Sequence, residues 1–151
     1  FLPLGVKTTF CAEGAMLEKT EIQSGTIAFD LSGQPDLAQS LVVACAALQL
    51  PFRFTGLQTL RIKETDRLSA LARELDKLGI IVAVENDESI RSVTYASAPA
   101  HLQPVATYED HRMALAFAPC ALRFPGLQIA EPAVVNKSYP GFWEALQSLL
   151  K

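Results

Sequence analysis

The sequence has no apolar run long enough to cross a bilayer, no excess of positive charge and no CxxC pair. Each absence removes a class of function. A spanning helix needs roughly 20 consecutive apolar residues, and the amino end carries no signal-peptide pattern. No membrane partner is expected. A net charge of −3 and an isoelectric point of about 5.4 leave no basic surface for broad nucleic-acid binding. An anion site, if there is one, has to be local. Cys11, Cys45 and Cys120 are odd in number and scattered, which argues against a disulfide framework or a zinc site. Cys45 and Cys120 lie in Ala- and Leu-rich stretches, and all three thiols read as small buried hydrophobes of a reducing cytoplasm. A glycine-rich phosphate loop, a GxSxG elbow and a metal-ligand cluster are missing too, so neither a metal nor an organic cofactor is expected.

What is present describes a folded α/β chain. Half of the 151 residues are hydrophobic and 19% are charged, a composition that builds a core. At that length about two-thirds of the unfolded surface is buried, as in a single domain. The chain opens at Phe1 in what reads as a helix tail before a strand, so it is expected to be a fragment of something longer.

A shift of 74 positions brings the sequence into register with itself. Asp36 falls on Asp110, Pro51 on Pro125, Lys63 on Lys137 and Gly5 on Gly79, with Leu and Ala matches between them. The coarse pattern of one unit is β-α-β-α-β-β. Strands are expected at residues 27–31, 52–57, 80–84 and 92–96, with helices at 35–48 and from Thr65 or Asp66 to Leu78. The next unit is expected to hold strands at 105–108 and 127–130, a helix from Asp110 to Leu122, and a helix opened by Ser138. Residues 6–10 and 15–19 read as a hairpin closing an earlier unit. Trp143, Tyr139 and Phe142 match core spacing.

Four helices in this scheme begin with polar clusters, and a repeated architecture gathers those starts at one end of the domain. Residues 61–67 pack five charges into seven positions at a strand-to-helix junction. Lys63, Arg67, Arg112 and Lys137, with Arg61 behind them, are the candidate anion-binding cations. Lys137 stands out, because a lysine at a helix start opposes the dipole. The acid–base candidates are Asp36, Glu64, Asp110 and His111, where Asp36 and Asp110 also suit plain helix capping. His101 sits in a loop-like stretch and carries no signal.

These blocks resemble the 5-enolpyruvylshikimate-3-phosphate (EPSP) synthases, a branch of the enolpyruvyl transferases. The resemblance rests on residues 61–68, the Asp110-His111-Arg112-Met113-Ala114 block, Gln34-Pro35-Asp36 and Asn136-Lys137-Ser138-Tyr139-Pro140, in that family's order. It implies two domains of three βαβαββ units each. This chain then supplies about two units of the C-terminal domain: 1–26 ending one unit, 27–97 complete, and 104–151 partial, with the N-terminal domain outside it. The implied reaction moves the enolpyruvyl group of phosphoenolpyruvate to the 5-hydroxyl of shikimate 3-phosphate. By the resemblance, Arg67, Arg112 and Lys137 hold phosphoenolpyruvate, where glyphosate also binds. Asp36 is the base on the 5-hydroxyl, Lys63 stands beside it, and Glu64 handles the proton at the methylene carbon. Asp36, Lys63 and Thr59 contact shikimate 3-phosphate, and Asp110 and His111 line the cleft. Thr59 stands where the family often has asparagine. The fragment alone is expected to be inactive, and the whole enzyme cytoplasmic. Two rivals are the enolpyruvyl transferase acting on UDP-N-acetylglucosamine, which lacks the 63–67 arrangement, and a non-catalytic or RNA-end-processing relative, which calls for a basic surface.

Overall fold

The computed structural model describes residues 1–149. The chain begins with a 3-10 turn, Leu2–Leu4, and a hairpin of β1 (Val6–Cys11) and β2 (Gly14–Lys19), a two-stranded sheet of its own. Then follow β3 (Ile27–Asp30), α1 (Ala38–Ala47), β4 (Phe52–Thr55), α2 (Arg67–Asp76), β5 (Ile80–Glu85) and β6 (Ser89–Tyr95), the β-α-β-α-β-β order read from the sequence. The last stretch carries α3 (His111–Phe117) and α4 (Phe142–Leu149).

The four-stranded sheet has the order β3-β4-β6-β5. β3 runs parallel to β4, with Ile27 opposite Phe52 and Asp30 opposite Thr55, because α1 crosses between them. β6 pairs antiparallel with both β4 and β5. In β4 the alternation is plain: Phe52 and Phe54 are buried and Arg53 is exposed. α1 is apolar nearly all round and is accordingly interior, with Leu41, Val42, Val43, Cys45 and Ala46 buried. α2 is amphipathic and lays Leu68, Leu71 and Leu75 on the core. Gly79 ends it in the left-handed region (φ 77°), where a Cβ would lie 2.8 Å from the Ser97 carbonyl. Among the described residues no helix is long and apolar enough to cross a membrane.

The repeat is visible in the elements. Adding 74 to the 3-10 helix Gln58–Ile62 lands on the 3-10 helix Pro132–Lys137, and adding it to α2 lands on α4. Leu31, whose amide bonds the Thr55 carbonyl at 2.9 Å, maps onto Val105, and Thr55 maps onto Ile129; Val105 and Ile129 form a parallel bridge.

Several boundaries differ from the sequence reading, each for a local reason. The expected strands at 105–108 and 127–130 shrink to that single bridge, since Tyr108 and Glu109 turn left-handed at φ 54° and 56°. The helix expected to reach Leu122 leaves α geometry after Phe117 and continues as a 3-10 helix, Ala118–Leu122, because Pro119 has no amide to donate. β6 starts at Ser89, three residues early, because left-handed Asn86 and Asp87 make a tight turn. The final helix begins at Phe142, past Pro140-Gly141, rather than at Ser138. Lys137 therefore ends a 3-10 helix instead of opposing a helix start. Tyr139, Phe142 and Trp143 pack edge to face on one another, yet α4 buries no residue fully. Cys45 and Cys120 are buried as expected, whereas Cys11 is exposed on the hairpin.

Candidate active site

Arg67 is the first residue of α2, and the Asp66 carboxylate caps that helix by accepting from the Ser69 amide at 3.2 Å. The cap fixes where the helix starts and hence where Arg67 points. Its side chain is only 2% exposed. The guanidinium is divided among three carboxylates. Nε donates to Asp110 Oδ2 at 2.7 Å, Nη1 to Asp36 Oδ1 at 2.7 Å, and Nη2 to Glu64 Oε2 at 2.7 Å, with a longer bond to Asp110 Oδ1 at 3.5 Å. A buried guanidinium is tolerable only with such partners, since desolvation costs several kcal/mol per ion. Its rigid fork is what lets one side chain join the starts of three segments.

Asp110 is wholly buried. It caps α3 by accepting from the Arg112 amide at 2.9 Å, and Gln39 Nε2 donates to its Oδ2 at 3.2 Å. Capping and ion pairing are thus the same carboxylate's work. Asp36, in the 3-10 turn Pro35–Leu37 ahead of α1, is more open. Besides Arg67 it meets Arg112 Nη2 at 3.3 Å and Lys63 Nζ at 3.7 Å, while Arg112 Nη1 donates to its carbonyl at 3.3 Å. Lys137 Nζ donates to the Glu109 carbonyl at 2.9 Å, next to Asp110. Of the two lysines related by the repeat, Lys63 thus stands beside the Asp36 carboxylate and Lys137 beside the Glu109 carbonyl.

The approach to Asp110 is strained. Two consecutive non-glycine residues, Tyr108 and Glu109, hold positive φ, at a typical cost of about 1–3 kcal/mol each. Burial first, then the adjacent Glu74 carboxylate, push the Tyr108 phenol above its ordinary value, so it stays a hydrogen-bond donor. Thr107 Oγ1 donates to Glu131 Oε2 at 3.3 Å and ties this stretch to the one leading to Lys137.

The structure therefore brings Asp36, Lys63, Glu64, Arg67, Asp110 and Arg112 into one connected cluster, with Lys137 at its margin. His111, half-buried at the head of α3, makes no side-chain hydrogen bond among the described residues. Thr59 is exposed on the Gln58–Ile62 helix and bonds to none of the cluster. Arg61 turns away to pair with Asp87, and lies 3.6 Å from Asp66. Sequence reasoning missed Gln39 and Glu74, both buried. Gln39 was findable as the one amide side chain inside an otherwise mostly apolar helix. Glu74 was masked, because a glutamate between leucines of an amphipathic helix reads as solvent-facing.

Chemically, three cations and three carboxylates share the cluster and Lys137 adds a fourth positive charge at its margin, in a chain of net charge −3. An arriving carboxylate or phosphate competes with the protein's own carboxylates. Glu64 and Asp36, 47% and 40% exposed, can yield, whereas buried Asp110 cannot. The site is thus suited to exchange one anion for another while freeing a carboxylate for proton transfer.

Relatives of this chain are longer proteins. The 3-phosphoshikimate 1-carboxyvinyltransferase of Bacteroides fragilis is 51% identical over 148 residues, covering 97% of this chain and 36% of that protein. That of Methanoculleus marisnigri is 37% identical over 143 residues, covering 95% and 33%. The solved EPSP synthase of Acinetobacter baumannii superposes with a TM-score of 0.64 at 24% identity, over 95% of this chain and 35% of that one. The chain thus spans about a third of the length of its curated relatives. The sequence model of the EPSP synthase (3-phosphoshikimate 1-carboxyvinyltransferase) family matches residues 6–146, so, with the fold in agreement, this chain belongs to the EPSP synthase family.

Proposed function

We propose that the full-length protein carrying this chain transfers the enolpyruvyl group of phosphoenolpyruvate to the 5-hydroxyl of shikimate 3-phosphate, releasing phosphate. This is a cytoplasmic step that needs neither metal nor organic cofactor. One observation carries the reading: in a chain of this family, Asp36 is gathered by Lys63, Arg67 and Arg112, with Glu64 on the same guanidinium. Phosphoenolpyruvate is held by Arg67, Arg112 and Lys137. Because Arg67 is already engaged, its carboxylate enters by displacing Glu64 from Nη2. The displaced Glu64 is then free beside the methylene carbon. Asp36 takes the proton of the 5-hydroxyl as that oxygen bonds to C2 of phosphoenolpyruvate, while Glu64 handles the proton added at C3. Reversal of that C3 transfer, with loss of the phosphate from C2, regenerates the double bond in the product. Lys63 and Thr59 face shikimate 3-phosphate, and Asp110 holds Arg67 in place, with His111 beside it. The remaining wall of the cleft, including the grip on the shikimate phosphate, comes from the N-terminal domain.

Phosphate release by the purified full-length protein with both substrates tests the reading. Asp36→Asn should leave shikimate 3-phosphate binding intact and lower turnover by about 10²–10⁴-fold, the usual worth of a general base. Turnover with UDP-N-acetylglucosamine in place of shikimate 3-phosphate would assign the sister reaction instead. A near-normal turnover number in Asp36→Asn would leave Asp36 a cap and put the base elsewhere.

A further inference from the structure

Glu74 has no part in the chemistry above, yet its side chain is wholly buried. It lies seven residues beyond Arg67 on α2, two helical turns along the same face. Its carboxylate accepts from the Ala106 amide at 2.9 Å and from the Tyr108 hydroxyl at 2.7 Å, and Lys77 Nζ supplies the countercharge at 2.6 Å. Lys77 also donates to the Pro104 carbonyl at 3.2 Å. One face of α2 therefore grips residues 104–110 at both ends, through Glu74 and Lys77 at one and through Arg67 on Asp110 at the other.

Between the grips lie Tyr108 and Glu109, the left-handed pair. Their conformation aims the Glu109 carbonyl at Lys137 and delivers Asp110 to the head of α3, two residues before Arg112. Strain of this kind persists only where the surroundings impose it. A buried carboxylate–lysine pair is in itself a poor stabiliser compared with apolar packing, so its presence asks for a role beyond stability.

We infer that Glu74, acting through Tyr108, is a positioning residue that sets Lys137 and Asp110 for the phosphoenolpyruvate side of the site. The inference rests on the reaction proposed above. It is tested in the full-length protein with Glu74→Gln, Tyr108→Phe and, as a control for plain loss of stability, Leu71→Ala in the same helix. Glutamine can still accept from the Ala106 amide, but it loses the charge opposite Lys77 and meets the Tyr108 hydroxyl with its NH2, reversing that bond, and Tyr108→Phe removes the hydroxyl alone. Both variants should raise the KM for phosphoenolpyruvate by roughly ten-fold or more, toward the 10²-fold that a misplacement of about 1 Å can cost. The KM for shikimate 3-phosphate should stay within about two-fold, as expected when binding at the other substrate is untouched. Hydrogen exchange at residues 109–113 should quicken in Tyr108→Phe and stay unchanged in Leu71→Ala once global unfolding is matched. An unchanged phosphoenolpyruvate KM, or both KM values drifting together as in Leu71→Ala, overturns the inference. If the wild type releases no phosphate, the proposed reaction falls; quickened exchange at 109–113 still supports the positioning role and unchanged exchange still refutes it.

Discussion

Replacing Arg67 with methionine removes the only charged partner of Asp110 among the described residues while keeping most of the side-chain volume. Asp110 would remain wholly buried, with the Gln39 amide and the Arg112 N–H as its remaining donors among the described residues. Stranding one member of a buried ion pair typically costs about 3–5 kcal/mol. The contacts to Asp36 and Glu64, at 40% and 47% exposure, are screened and add about 0–1 kcal/mol each. The expected loss is thus about 3–7 kcal/mol, against the roughly 5–15 kcal/mol that holds a typical domain together. A second substitution, Asp110→Asn, removes the buried charge and keeps an oxygen for the Arg112 amide. The double variant should therefore be more stable than the sum of the two single losses, by roughly 1–3 kcal/mol. Native-state hydrogen exchange of the α2 and α3 amides in the full-length protein reads this locally, and urea unfolding reads it globally. Losses that simply add, or a single-variant cost below about 1 kcal/mol, would refute the stranded-charge argument.

Other consequences are simpler to check. Arg112→Ala should weaken phosphoenolpyruvate use and glyphosate inhibition by about 10–100-fold, the worth of one charge-assisted hydrogen bond; unchanged values for both take Arg112 out of the site. Gly56→Ala should destabilise strongly, because Gly56 holds φ 77° and a Cβ there would be driven into Ser32 and to within 2.6 Å of Asp30 Oδ1. A loss below about 1 kcal/mol would show that the β4 end relaxes freely. Burial pushes the Cys45 and Cys120 thiols from 9.0 up to about 12, so a thiol reagent should label Cys11 and spare both until the protein unfolds. The linked stability is fully present below the ordinary thiol value and is lost as pH rises toward about 12, so a melting temperature that climbs above pH 9 would contradict the burial.

The order of elements was legible because periodicity and punctuation are local. The leucine spacing of α2, Asp66 before it and Gly79 after it state a helix without help from the rest of the chain. The 74-residue shift, the chemistry of residues 61–67 and the Asp110-His111-Arg112 block were equally open to reading, since they are matters of residue type and spacing. Those patterns also sufficed to recognise the family. Partnership was different. That Asp36, Glu64 and Asp110 all spend themselves on one guanidinium depends on α1, α2 and α3 packing with their starts together, and spacing along a chain holds no such distance. The same applies to Glu74, an ordinary polar position of an amphipathic helix until residues 104–108 fold over it. Lys137 is the sharpest case. The sequence placed it at a helix start, but Pro132 opens a 3-10 helix that ends on it, and its charge answers a carbonyl presented by two left-handed residues. Local pattern decides which segments become helix or strand, because those hydrogen bonds close within a few residues. Which charge meets which is decided only when distant segments are buried against one another, where an unpaired ion is too costly to leave.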